Sequence, residues 1–157
     1  MKIKVLAIAK TEESYLKTGM DIYCSKLPHY FPFEYIECPA VKQTQNMTKE
    51  QQKEKEGEVL LSKITNTDTV VLLDECGKMF TSVGFSDFLQ QQMNLSRKQL
   101  IFVIGGPYGF SQKLYNRLDY KISLTPMTFS HQMVRLIYFE QLYRAASILQ
   151  NEPYHHQ

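Results

Sequence analysis

The run Thr69-Val70-Val71-Leu72-Leu73 carries the clearest structural signal in the chain. It is β-branched and apolar, and it lacks the polar alternation of a strand with one solvated face. Such a run predicts a strand buried on both faces, as in the middle of a parallel sheet. Residues 100–104 repeat the pattern, so two such strands are expected.

Strand and helix patterns alternate around these two runs. Further strands are predicted at residues 3–9, 33–38 and 120–124, and helices at 11–26, 48–64, 83–93, 111–118 and 130–150. The charged first half of helix 48–64 is expected to face solvent, and its second half to reach the core. The alternation predicts an α/β fold, with a mostly parallel sheet and helices on both faces. The 157 residues fit a single domain, 1–157.

Composition narrows the class of protein. A formal net charge of +2 gives only weak support to a nucleic-acid partner, so any basic patch must be local. Cys24, Cys38 and Cys76 lack metal-ligand spacing and are interpreted as reduced thiols of a cytoplasmic protein that holds no metal. No apolar run approaches the length of a membrane span.

Three unusual loops follow predicted strands, at residues 73–78, 104–109 and 124–129. Ligands of open α/β sheets bind outside the carboxyl ends of the strands. Each loop alone is compatible with an ordinary turn, and the glycine cluster at 105–109 is neither a dinucleotide-binding fingerprint nor a P-loop. Together the three loops predict a ligand site at this edge of the sheet.

The last helix places one charge, Arg135, in an otherwise apolar stripe. A buried guanidinium needs a partner. One interpretation is a structural ion pair with Asp or Glu, or an arginine that reaches the surface. The other is an arginine beside a site for an anionic ligand or transition state, which its position next to the third loop favours. The helix is apolar around most of its circumference, which predicts cover on two sides, with a homodimer as one solution.

Four motifs carry a resemblance to a known family. They are residues 104–109, residues 124–135, Glu140-Gln141-Leu142-Tyr143-Arg144-Ala145, and Pro153-Tyr154-His155. They resemble the ribosomal RNA large subunit methyltransferase H family of the SPOUT class, over the whole chain. The resemblance implies a C-terminal trefoil knot, a homodimer and S-adenosyl-L-methionine as methyl donor. It also implies methylation at N3 of a pseudouridine in the inter-subunit stem-loop of 23S rRNA, within assembled ribosomes.

The same resemblance implies site residues. The cofactor contacts would be Leu73, Gly105, Leu124, Thr125, Pro126, Met127, Thr128 and Phe129. We expect Arg135 to stabilise the developing charge on the base, His131 or His155 to assist proton removal, and Tyr154 to position the base. Ser130 stands where family members often carry proline, and serine is a good helix N-cap.

Three alternatives stay open. One is a SPOUT methyltransferase that acts on a different RNA. Another is a catalytically silent ribosome-binding factor with the same fold. The last is a flavodoxin-like binder of a small ligand.

Overall fold

The protein, described by a computed structural model over residues 1–154, contains a five-stranded sheet. The strands are β1 (Lys2–Ile8), β2 (Phe33–Cys38), β3 (Thr69–Met79), β4 (Gln99–Ile104) and β5 (Tyr120–Ser123). Their order across the sheet is β2-β1-β4-β3-β5, and all four neighbouring pairs run parallel. The predicted α/β class with a parallel sheet is therefore confirmed.

Within residues 1–154, four α-helices connect the strands and a fifth follows β5: α1 (Ser14–Cys24), α2 (Lys49–Leu61), α3 (Ser82–Asn94), α4 (Gln112–Arg117) and α5 (Met133–Leu149). Three of them follow an N-cap residue whose hydroxyl accepts a backbone N–H of the first turn. Thr48 does so for α2 within a full capping box, Thr81 for α3, and Ser111 for α4. None of the helices within residues 1–154 is long and apolar enough to cross a membrane.

The strands bury both of their faces in two separate cores. Alternate residues of β1 and β4, such as Ile3 and Phe102, face a core shared with α1, α3 and α5. The residues between them, such as Leu6 and Val103, face a second core with α2 and α4. Helices therefore cover both faces of the sheet. The trefoil knot stays a prediction.

Strand β3 continues beyond the predicted end at Leu73, with a break in its pairing. Both Leu73 and Lys78 align with Ile122 of β5, so residues 74–77 bulge out of the ladder between them. The chain returns to β5 at Gly77, where a Cβ atom would lie only 2.4 Å from the carbonyl carbon of Ile122. This close approach requires glycine.

Helix α5 packs against both α1 and α3 on one face of the sheet. It begins at Met133, three residues later than predicted, and the hydroxyl of Ser130 accepts the Met133 N–H at 3.1 Å. All residues of α5 are buried or half-buried. The sequence suggested that a second copy of the protein covers one side of this helix. Helices α1 and α3 of the same chain provide part of that cover. The homodimer stays a prediction.

Candidate active site

A cavity of about 540 Å³ lies at the carboxyl ends of β3, β4 and β5. Its walls are the three loops that follow these strands, because parallel strands direct their carboxyl ends to one edge of the sheet. The glycine loop closes on itself, since Gly109 donates its N–H to the Gly106 carbonyl at 3.2 Å. Gly109 has a φ of 81°, a left-handed conformation that favours glycine.

Seven of the eight residues predicted to contact the cofactor line this cavity: Leu73, Gly105, Leu124, Thr125, Met127, Thr128 and Phe129. Pro126 belongs to the same loop and is exposed, but it does not line the cavity. At Gly105 an added Cβ would lie 3.0 Å from the ring of Phe110, so packing within the chain already favours glycine there.

The β3 bulge brings two carboxylates, Asp74 and Glu75, to the cavity wall. Asp74 is fixed in place, because it accepts the Cys76 N–H at 2.8 Å and the hydroxyl of Tyr115. Burial and the bond to Asp74 both raise the pKa of Tyr115, which keeps the phenol as a donor. Lys53 of α2 also lines the cavity, and its ammonium pairs with Glu50 at 2.6 Å.

Two large apolar side chains of the cavity wall are open to solvent. Met127 is 73% exposed and Tyr108 is 42% exposed. The ammonium of Lys49 lies 5.4 Å from the centre of the Tyr108 ring. The cavity wall therefore offers an aromatic face with a positive charge beside it, and an exposed apolar side chain.

His131 lines the cavity at the turn before α5. Burial and the positive charge of Arg135 lower its pKa below the ordinary value of 6.5, although Glu12 acts in the opposite direction. The imidazole is thus mainly neutral at pH 7. A neutral imidazole is able to accept a proton.

Arg135 is completely buried and does not line the cavity. Its guanidinium donates to the carbonyls of Ile8, Ala9 and His131 and to the hydroxyl of Thr11. The carboxylate of Glu37 lies 3.6 Å away. These contacts match the structural interpretation of the sequence pattern, in which a buried arginine is held by hydrogen bonds and an ion pair, here with a carboxylate that is itself partly exposed. In this arrangement Arg135 does not face the cavity, so it does not contact a substrate there directly.

The Arg135 contacts fix the end of β1. Ala9 has a φ of 65°, which is costly for a residue with a side chain, and its carbonyl accepts from Arg135 at 3.0 Å. Burial alone would raise the pKa of Glu37, but hydrogen bonds from Thr11 and Tyr35 and the charge of Arg135 lower it. Glu37 therefore stays ionised as the counter-charge.

Tyr154 lies away from the cavity, at the opposite end of α5 from His131. Its ring packs on Tyr143 with centroids 4.7 Å apart, and the Arg144 guanidinium lies 4.7 Å above it. Its hydroxyl donates to Glu140 at 3.3 Å. A helix of 17 residues is about 25 Å long, so Tyr154 and His131 of one chain do not share a site. His155 lies outside the described residues.

Lys53 and Tyr115 line the cavity, although no sequence pattern predicted them as site residues. Lys53 sits in a mixed-charge helix that is expected to be solvated, and Tyr115 is one of ten tyrosines. Across residues 1–154 no cluster of His, Cys, Asp and Glu has the arrangement of a metal site.

Comparison with known proteins gives the family. A family model described as "Predicted SPOUT methyltransferase" matches residues 1–155, which include all three cavity loops. The chain belongs to the SPOUT methyltransferases. Within this family it is 56% identical over 156 residues to a protein of Christiangramia forsetii, with 99% of each chain covered. It is 55% identical to one of Flavobacterium johnsoniae and 51% identical to one of Parabacteroides distasonis, with 100% of each chain covered in both pairs.

All three relatives are named ribosomal RNA large subunit methyltransferase H. The resemblance drawn from the sequence motifs is therefore confirmed at the level of the family. For this SPOUT member, the cavity at the strand ends is the candidate active site.

Proposed function

We propose that this protein transfers a methyl group from S-adenosyl-L-methionine to N3 of a pseudouridine in the inter-subunit stem-loop of 23S rRNA, in assembled ribosomes. The observation that carries the proposal is the cavity formed by the three loops at the carboxyl ends of β3, β4 and β5. The names of the relatives support ribosomal RNA as the substrate. Such an enzyme works in the cytoplasm.

The lining of the cavity fits the donor. Leu73, Leu124 and Met127 offer apolar surfaces for the faces of an adenine, and the loop backbones offer donors and acceptors for its edge. Asp74 and Glu75 place carboxylates on the cavity wall, which would favour a ligand that carries a positive charge. When bound, S-adenosyl-L-methionine supplies a methyl group that the sulfonium charge already activates.

The rim of the cavity fits an RNA substrate. Tyr108 is exposed and provides a face on which a base stacks, and Lys49 beside it provides charge for a phosphate. Because the net charge of the protein is small, an RNA-binding surface must be a local basic patch, and Lys49 with Tyr108 forms such a patch. The weak overall charge agrees with recognition of a folded ribosomal surface more than with binding to free RNA.

The base must lose the proton on N3, and His131 is the group in the cavity that suits this task. Burial and Arg135 keep its pKa below 6.5, so its imidazole is free to accept the proton at neutral pH. His155 is the second candidate from the sequence. The enzyme otherwise contributes mainly by holding the two reactants in place.

Arg135 acts in this proposal as a positioning residue. It holds the backbone of His131 through its Nε at 3.1 Å and the end of β1 through two further carbonyls. Tyr154 is too far along α5 to reach the cavity of its own chain. We therefore propose that Tyr154 positions the base in the cavity of a second copy, within a homodimer.

The test is transfer of labelled methyl from S-adenosyl-L-methionine to ribosomes that lack this modification, with separate subunits and naked 23S rRNA alongside. We expect label on one pseudouridine of the large-subunit RNA, chiefly in assembled ribosomes. Label on another RNA would favour the SPOUT alternative with a different target. Cofactor binding without label on any RNA would favour the silent ribosome-binding factor.

A further inference from the structure

Glu56 is the one buried residue among the charged residues of α2. Its side chain is 4% exposed, whereas Lys55 and Glu58 beside it face solvent. One carboxyl oxygen, Oε1, accepts from the amide of Gln52 at 2.8 Å. The other, Oε2, is buried and has no hydrogen-bond partner among the described residues. Because buried polar atoms are nearly always hydrogen-bonded, the unpartnered Oε2 of Glu56 requires a physical explanation.

Glu56 lies against the glycine loop of the cavity. A Cβ atom on Gly106 would lie 2.4 Å from Oε2, so the loop backbone and the carboxyl group are in contact. The next residue, Gly57, packs in the same way on Ser111, where a Cβ would lie 2.2 Å from the hydroxyl oxygen. This single turn of α2 thus supports both the loop and the start of α4.

No salt bridge to Glu56 is formed by the residues that the structure describes, 1–154. Lys53, one turn earlier, pairs with Glu50 at 2.6 Å. Lys113 of α4 pairs with Glu58 at 3.2 Å and Glu54 at 3.8 Å. The titratable group of the glycine loop is Tyr108, which faces Lys49.

Burial raises the pKa of Glu56, and the hydrogen bond from Gln52 offsets this only in part. A buried carboxylate without a counter-charge is costly, so the neutral acid suits this position.

We propose that Glu56 is a positioning residue that supports the cofactor loop in its protonated, uncharged form, so that cofactor binding depends on this proton. The inference rests on the proposed function, in which the glycine loop holds the cofactor. An ionised Glu56 must draw in water or move away from Gly106, and either change displaces the loop. Cofactor affinity therefore falls as the pH rises through the pKa of Glu56.

Binding of S-adenosylhomocysteine, measured by calorimetry over a pH series, tests this. We expect wild-type affinity to fall with rising pH, by up to about tenfold per pH unit above the pKa of Glu56. Glu56→Gln keeps the shape without the charge and should bind as tightly as the protonated wild type, without this pH dependence. Glu58→Gln, on the exposed side of the same helix, is the control and should follow the wild type.

Two results of this titration would overturn the proposal. If affinity rises with pH and Glu56→Gln binds weakly throughout, Glu56 supports binding as a carboxylate and not as the neutral acid. If wild type and Glu56→Gln have parallel pH profiles, the proton on Glu56 has no part in binding.

Urea unfolding without cofactor tests the protonation of Glu56 independently of the proposed function. Because the folded protein holds the Glu56 proton more tightly than the unfolded chain, the stability of the wild type relative to Glu56→Gln should decrease as pH rises above the ordinary pKa of 4.5. A difference that stays constant with pH would overturn the proposal. A protein that shows the expected decrease but binds no cofactor at any pH would retain a protonated Glu56 and refute the assigned cofactor.

Discussion

Replacing Arg135 with methionine tests whether this residue holds the site together. The guanidinium is fully buried and satisfies four acceptors, at 3.1 Å for His131 and 3.0 Å for both Ala9 and Thr11, with Ile8 as the fourth. Methionine leaves these acceptors without their donor. It also leaves Glu37 without its counter-charge.

Leaving a buried acceptor without its donor costs about 1–3 kcal/mol, and Arg135 serves four acceptors, so we expect a total loss of about 3–5 kcal/mol. A domain of this kind is stable by only about 5–15 kcal/mol, so the variant should remain folded but lose a large part of its stability. With a urea dependence of about 1–3 kcal/mol per molar, the unfolding midpoint should fall by roughly 2 M. The measurement is urea unfolding by circular dichroism at several protein concentrations, because a dimer would unfold in a concentration-dependent way.

Arg97→Met is the matched control, since Arg97 is exposed and its loss should leave the midpoint unchanged. Arg135→Lys keeps the charge but has no planar fork to reach the separate acceptors, so it should lie between the methionine variant and the wild type. A midpoint for Arg135→Met equal to that of wild type would refute the structural role. A lysine variant with wild-type stability and cofactor affinity but a low kcat would instead indicate direct charge stabilisation in the transition state.

Three further predictions concern the cavity, the β3 bulge and the dimer. Methyl transfer should slow as pH falls through the pKa of His131, which lies below 6.5, and His131→Gln should lower kcat about a hundredfold and remove this acidic limb. Gly77→Ala should lower the free energy of unfolding by about 1–3 kcal/mol, as judged by urea midpoints, because its Cβ would meet the Ile122 backbone. Cys76→Ala should leave that stability unchanged, and a Gly77 variant as stable as wild type would contradict the close crossing. His131→Gln and Tyr154→Ala proteins, each strongly impaired alone, should recover methyl transfer when refolded together, and failure to recover would place Tyr154 outside the partner's site.

The sheet was predictable because burial on both faces is visible in the sequence. Residues 69–73 and 100–104 each contribute alternate side chains to the two cores, which is why they lack polar alternation. The strand order was not predictable, because it depends on which helices pack on which face. The bulge after Leu73 was also hidden, since its cause is a contact between Gly77 and a backbone 45 residues later in the chain, at Ile122.

The position of the site was predictable, but the roles of its buried charges were not. Three loops at strand ends indicated where a ligand binds, and the structure brings them together around one cavity. The partners of Arg135 are mostly backbone carbonyls, which every residue has and no sequence pattern reveals. Glu56 looks like its exposed neighbours on α2, and its burial depends on Gly106, far along the chain.

Arg135 and Glu56 are both ionisable side chains buried in the protein, on opposite faces of the sheet, and the structure accommodates them in different ways. Arg135 stays charged, because four acceptors and Glu37 satisfy it, so its contacts stabilise the fold at the ends of β1 and β2. Within residues 1–154, Glu56 has one hydrogen bond and no salt bridge, so burial raises its pKa and favours the neutral acid. A loss of Arg135 should therefore be seen first in global stability, at every pH where the protein folds. A change in the charge of Glu56 should be seen first at the glycine loop, and only across the pH range in which that proton is released.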